Sequence, residues 1–207
     1  MQNKKHRVGI MGGTFDPIHI GHLMLAECAY EQFQLKRVMF MPSGNPPHKR
    51  NRMDGASDED RTEMVRLAIK DNPHFILDTE EMERKGLTYT KDTLIRLNQE
   101  HPDTEYYFII GGDSLMAFDT WKEPETISKN CILVAAVRDQ LAVATMQNKM
   151  HALNEKYGAV IHMLKTPDVD ISSSNLRKWC REGRSIRYYV PDPVRKYIIE
   201  NHIYDAG

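Results

Sequence analysis

"GIMGGTFDPIHIGH", residues 9–22, is the stretch whose reading decides the fold. An apolar, strand-like run breaks at Gly12 and Gly13, passes through a turn marked by Asp16 before Pro17, and resumes as a helical segment carrying Leu23, Met24, Ala26 and Cys28. Strand, glycine turn, helix is how an open α/β sheet begins, and ligands bind such sheets at the carboxyl edge of the strands. Glycine at that edge lets a ligand approach the backbone. The spacing is not GxGxxG and no GK[ST] follows, so the dinucleotide fingerprint and the P-loop are both absent.

Working outward, short apolar runs alternate with segments of helical period. RVGIM, RVMFM, FILD, YYFII, ILVAAV and AVIHML read as strands, each bounded by Gly, Pro, Asn or Asp. Helical patterns cover about residues 21–33, 58–70 (Met64, Leu67 and Ala68 on one face) and 90–100 (Leu94, Ile95 and Leu97). The expected fold is α/β, Rossmann-like, with a mostly parallel sheet and helices on both faces; near-continuous apolar strands suit a sheet covered on both sides. In the last third, ISSSNLRKW places serines at a helix N-cap before Leu176 and Trp179, and VPDPVRKYIIENHI starts a further helix with prolines in its first turn. The C-terminal end is therefore helical. No repeat, low-complexity tract or Gly/Ser linker divides the chain, and residues 1–207 read as a single domain. One irregular stretch, PSGNPPHKRNRMDGAS at residues 42–57, carries His48, Lys49, Arg50 and Arg52; loops this long in a compact domain are solvated and disordered or functional.

Composition narrows the classes of partner. The 207 residues are 41% hydrophobic, enough for a core, and Lys+Arg 28 against Asp+Glu 29 leaves no excess of positive charge to gather nucleic acid. Any anion site is local. No apolar run reaches the roughly 18 residues of a membrane span, and MQNKKHR leads into a strand with no signal-peptide core, so the expected location is cytoplasmic. Cys28, Cys131 and Cys180 are widely spaced and form no CxxC pair, which fits reduced structural thiols.

His19 and His22 sit three apart across a helix start, so both imidazoles can face one point near the unpaired N–H groups of the first turn, where dipole and donors favour an anion. A phosphate site is the best reading. Two alternatives stand beside it: zinc ligation, for which no third or fourth ligand of matching spacing is near, and a structural role as cap or core histidines.

"GGTFDPIHIGH" resembles the signature of the nucleotidyltransferase superfamily with an HxGH motif, and "ISSSNLR" is similar to its second signature, a Ser-Ser-Thr/Ser-x-x-Arg block near the C-terminus. PSGNPPHK, GLTYTKDTL (residues 86–94) and FIIGGDSLMAFDTW (residues 108–121) resemble the bacterial nicotinate-nucleotide adenylyltransferase family over most of the chain, residues 7–204. Phosphopantetheine adenylyltransferases share the outer motifs but are shorter, usually read PGTFDP and lack the central blocks. One departure is local: family members often show Arg-Pro-Gly where Arg138 is followed by Asp139 and Gln140, leaving the role of Arg138 open.

The resemblance implies adenylyl transfer from ATP to nicotinate mononucleotide, giving deamido-NAD and pyrophosphate. His19, His22 and Arg177 are implied as catalytic. Gly12, Gly13, Thr14, Phe15, Lys49, Gly111, Asp113, Ile171, Ser172, Ser173 and Ser174 join them around ATP. Within that set the histidines hold phosphates, and the serines offer hydroxyls and N–H groups to the β- and γ-phosphates with Arg177 reaching over them. Asp113 takes the ribose, with a helix N-cap as its competing role, and Lys49 reaches the phosphates if its loop folds over. Thr88 and Tyr89 are implied at the nicotinate carboxylate, and Trp121 is implied to stack on the pyridine ring. A donor-rich pocket prefers the acid to the amide. Trp179, Met82 and Met116 read as core. Mg²⁺ is expected with ATP, keeping most of its water shell, since no carboxylate cage is evident. Rival readings are adenylyl transfer to nicotinamide mononucleotide or phosphopantetheine, and a nucleotide-sensing module without turnover, which would erode His19, His22 or Arg177. On assembly, the sequence supplies only the general prior for a homodimer.

Overall fold

The structure is a computed structural model that describes residues 6–44, 55–84, 86–136 and 142–205. Six strands, β1 (His6–Gly13), β2 (Arg37–Pro42), β3 (Phe75–Leu77), β4 (Thr104–Gly111), β5 (Ile132–Ala136) and β6 (Ile161–Leu164), form one parallel sheet in the order β3-β2-β1-β4-β5-β6. Chain order runs outward from β1 to β3 on one side and from β4 to β6 on the other. The sheet therefore has a topological switch point between β1 and β4, the crevice where open α/β sheets bind ligands. Gly13 pairs with Pro42 at the carboxyl end of β1, and Gly111 pairs with Ala136 at the end of β4.

Strand residues alternate between two cores, as a sheet covered on both faces requires. Met11, Tyr107, Ile109 and Val134 face a cluster built with Ala26 and Ala29 of α1 (Ile20–Phe33), Met64 and Val65 of α2 (Asp58–Ile69), Leu176 of α8 (Ser173–Arg181), and Val194 and Ile198 of α9 (Asp192–Glu200). On the opposite face, Val8, Ile10, Phe108, Ile110 and Leu133 pack with Leu94 and Leu97 of α4 (Thr90–Glu100) and Leu115 of α5 (Gly112–Met116). Ile127 of α6 (Pro124–Asn130) and Met146 and Leu153 of α7 (Ala142–Tyr157) complete that layer. A single turn of helix, α3 (Glu80–Glu83), follows β3.

The six strands and the helices at 21–33, 58–70, 90–100 and the C-terminal end form as the sequence predicts. Three helices, α3, α6 and α7, do not figure in that reading, and α5 enters it only as a turn beginning at Asp113. α3, α5 and α6 span 4, 5 and 7 residues, too short to show a helical period. In the 16-residue α7, Met146 and Leu153 are buried while most of the other described side chains are exposed or half-buried. Met116 is 46% exposed and not part of the core, because it is the last residue of α5, past the turn that seats Leu115. Trp179 is half-buried, edge-on to Tyr189 at 5.0 Å with the Arg184 guanidinium over its ring. Cys28, Cys131 and Cys180 are free, and burial pushes each thiol pKa upward, the direction that disfavours the reactive thiolate. No helix among the described residues is long and apolar enough to cross a membrane.

Leu94 is fully buried between α4 and the sheet. Leu94→Ala should lower unfolding free energy by about 2–5 kcal/mol in urea titrations, through lost transfer energy plus the cavity left behind.

Candidate active site

The turn after β1 carries the first group of site residues. Phe15 adopts a left-handed backbone (φ 51°) yet is only 1% exposed, so side-chain burial offsets a conformation that non-glycine residues rarely hold. Its ring meets His22 edge-on at 5.1 Å and lies 5.9 Å from Phe40. The two glycines before it have a packing reason in addition to ligand access: a Cβ at Gly12 would meet Phe108 at 3.2 Å and one at Gly13 would meet Phe15 at 3.1 Å.

His19 is the N-cap of α1 and 5% exposed; its backbone N–H donates to Nδ1 of His22 at 3.2 Å, and the two imidazoles stack at 3.7 Å. With Nδ1 of His22 accepting, the neutral ring carries its proton on Nε2. Gly21 completes the arrangement, because a Cβ there would press on the His19 ring at 3.1 Å. Backbone donors are fewer than a bare helix start provides. Ile20 N–H donates to Tyr189 O and His22 N–H to His19 O, both at 2.9 Å, so side chains carry more of any anion binding here than the sequence suggests.

Arg177 lies beneath this turn, 4% exposed. Its Nη1 donates to the Asp16 carbonyl at 2.7 Å and sits 3.4 Å from the Asp16 carboxylate, which is itself 3% exposed. Asp16 Oδ1 also accepts from Tyr204 Oη at 2.7 Å and from Ala56 N–H at 3.0 Å. Burial, followed by the neighbouring Asp16 charge, pushes the Tyr204 phenol far upward and keeps it a donor. Sequence reading took Asp16 as a turn marker and placed Arg177 over the phosphates; in the structure the two are bonded to each other through Arg177 Nη1. Ser172 is the N-cap of α8, accepting from Asn175 N–H at 3.2 Å, and Ser173 Oγ donates to Pro17 O at 2.9 Å. Ser174 is exposed and Ile171 half-buried at the same helix start. Across the switch point, Gly111 caps α5 and Asp113 stands exposed in its first turn, so the N-cap alternative for Asp113 does not hold.

A cavity of about 400 Å³ opens beside Ser43 and is lined by Glu81, Thr88, Tyr89, Thr90, Trp121, Lys122 and Ile127 among others. It brings together the three residues the sequence assigned to a pyridine nucleotide. Tyr89 is the N-cap of α4, so the cavity meets a helix N-terminus, and the Thr88 hydroxyl is buried with no hydrogen-bond partner. Trp121 leans on Phe118 at 5.5 Å and edge-on against Phe108 at 6.1 Å. Asp119, two residues earlier, is held by Lys149, Lys156 and Tyr157 near the C-terminal half of α7; those bonds pull its carboxyl far below the usual range and pin the turn that carries the indole. Glu81 accepts from Thr93 Oγ1 at 2.7 Å, and burial raises its pKa against that bond. Lys122 makes no ion pair among the described residues, whereas Lys91 nearby is paired with Glu123 at 2.8 Å.

Sequence reading did not find Asp16, Glu81 or a buried arginine, Arg61. For Arg61 a signal existed: it lies on the same face of α2 as Met64 and Val65, an unusual place for a charge. Lys49 and Arg138 lie outside the described residues. No group of three or more His, Cys, Asp or Glu able to hold a metal occurs among the described residues.

A family model described as cytidylyltransferase-like matches residues 10–179. A "Probable nicotinate-nucleotide adenylyltransferase" of Lachnoclostridium phytofermentans is 48% identical over 198 residues, 96% of this chain and 98% of the relative. Another so named, of Geobacter metallireducens, is 44% identical over 213 residues, covering 96% and 98%. The fold matches a solved structure of Plasmodium falciparum nicotinic acid mononucleotide adenylyltransferase complexed with NaAD, with TM-score 0.78 and 20% identity over 98% of both chains.

Removing the Asp16 carboxylate strands a buried cation. Asp16→Ala should cost about 3–5 kcal/mol, and Tyr204→Phe about 1–3 kcal/mol, both read from denaturant midpoints.

Proposed function

The chain belongs to the cytidylyltransferase-like family and, within it, to the nicotinate-nucleotide adenylyltransferases, and from that membership we infer the reaction: adenylyl transfer from ATP to nicotinate mononucleotide, giving deamido-NAD and pyrophosphate in NAD biosynthesis. The observation that carries the choice of acceptor is the cavity under Trp121, where an unpartnered, buried Thr88 hydroxyl stands at the N-terminus of α4. A flat indole suits a flat pyridine ring. A hydroxyl, helix N–H groups and the Lys122 ammonium are donors and positive charge, which a carboxylate satisfies better than a carboxamide that brings N–H groups of its own.

The acceptor phosphate is already a nucleophile at neutral pH, so no side chain abstracts a proton. One of its oxygens forms a bond to the α-phosphorus of ATP while the bond to the bridging oxygen breaks and pyrophosphate leaves. What the protein supplies is alignment and charge neutralisation. In this reading Nε2 of His22 donates to the α-phosphoryl oxygens as their charge grows, and His19 orients it through the stacked ring and the backbone bond to Nδ1. The start of α8, with Ser174 exposed, receives the β- and γ-phosphates, and Arg177 acts from beneath by holding the Asp16 turn in place. Asp113 accepts from the ribose hydroxyls at the end of β4. Nucleotidyltransferases that use ATP generally take it with a divalent cation; Mg²⁺ here is part of the co-substrate, neutralising phosphate charge.

Pyrophosphate release is measured with Mg²⁺-ATP and, separately, nicotinate mononucleotide, nicotinamide mononucleotide and phosphopantetheine. Release should favour the acid mononucleotide, and His22→Ala should lower kcat by about 10²–10³-fold. Release with phosphopantetheine alone, or with no acceptor, refutes the assignment. Trp121→Ala should raise the KM for the mononucleotide while leaving that for ATP within about twofold, the signature of a lost stacking contact confined to one substrate.

A further inference from the structure

Resting on the reading above, ATP sits against the loop after β1 and the mononucleotide against the loop after β2, so the distance between these two loops sets the distance between nucleophile and phosphorus. The buried Arg61 spans that gap. It is 4% exposed; Nη1 donates to Thr14 O at 2.6 Å and Nη2 to Ser43 O at 2.9 Å. Thr14 belongs to the phosphate turn and Ser43 lines the cavity. The same Nη2 pairs with Asp58 at 2.6 Å in the first turn of α2 and lies 3.6 Å from Met82 Sδ, which fixes the fork at its far side. Among the described residues the loops are also tied directly, by Ser43 N–H to Gly13 O at 2.8 Å, next to the last paired residues Gly13 and Pro42, and by Ala56 N–H to Asp16 Oδ1 at 3.0 Å. Beyond that point the strands end and Arg61 continues the connection.

We propose that Arg61 is a positioning residue that sets the spacing of the two substrate subsites. A planar guanidinium offers donors at fixed separation and can hold both carbonyls at once, whereas a lysine ammonium is a point charge without that fork. The consequence is specific. Either substrate alone needs only its own loop, but the in-line geometry, and any ligand that occupies both subsites, needs the two loops in register. A displacement of about 1 Å at the reacting atoms is enough to lower turnover about 10²-fold, and a ligand that joins two subsites loses its linkage advantage when the span no longer matches.

The experiment compares wild type with Arg61→Lys and Arg61→Met by calorimetric binding of ATP, nicotinate mononucleotide and deamido-NAD, each alone, and by steady-state kinetics. Thermal melting selects the variant that folds; Arg61→Lys keeps the positive charge beside Asp58 and removes the fork. Each substrate alone should bind within about threefold of wild type, while deamido-NAD, which occupies both subsites, weakens by about tenfold or more and kcat falls about 10²-fold. If folded Arg61→Lys matches wild type in kcat and deamido-NAD affinity, or if all three ligands weaken equally, the proposal is overturned and the reaction stands. If wild type binds neither the mononucleotide nor deamido-NAD, the reaction itself is refuted and this proposal with it.

Discussion

A carboxylate 3% exposed to solvent governs this structure. Asp16 cannot remain buried and ionised without partners, and the fold supplies them from segments far apart in the chain: Arg177 from α8, Tyr204 near the C-terminus and the Ala56 N–H just ahead of α2. Each of those bonds brings an element to the loop after β1. The space is tight enough that a Cβ at Gly55 would meet Asp16 Oδ2 at 2.8 Å. The helical C-terminal end is thus more than a cover for one face of the sheet. By docking on Asp16 it brings the N-terminus of α8 to the start of α1, and two helix starts then face one region at the switch point.

Arginine plays the same part twice, both times buried and both times on backbone carbonyls. Arg177 donates to Asp16 O and Arg61 to Thr14 O and Ser43 O, so the loop between β1 and α1 is gripped from below on both flanks. Loops rigid enough to hold phosphate chemistry need this, since turn residues alone satisfy few of their own carbonyls. The pyridine side is built on another principle. Its wall is an aromatic cluster of Trp121, Phe118 and Phe108, and its turn is tied down at the surface by Asp119 with two lysines and a tyrosine. The phosphate side is thus fixed by buried hydrogen bonds, the ring side by packing and a surface ion cluster.

This division fits a reaction with no proton to abstract. Transfer between two phosphates depends on where they are held and on the charge around them. The unpartnered Thr88 hydroxyl and the exposed Ser174 are polar groups open to a ligand, while Asp16, Tyr204 and the Arg177 Nη1 are engaged with one another in the frame.

Sequence alone determined the parallel α/β sheet, the glycine turns that follow its first and fourth strands, and the histidine pair at the start of α1. These are local signals: hydrophobic period, turn chemistry and short motifs survive without knowledge of what lies across the molecule. Only the tertiary structure decided which groups Asp16, Arg61 and Arg177 hold, that Ser173 donates its hydroxyl to Pro17 O, and that Met116 faces solvent. Arg177 and Asp16 stand 161 residues apart, and Tyr204 and Asp16 stand 188 apart. The physical reason is that a buried charge is defined by its partners, and no periodicity in a chain records which distant segment will supply them.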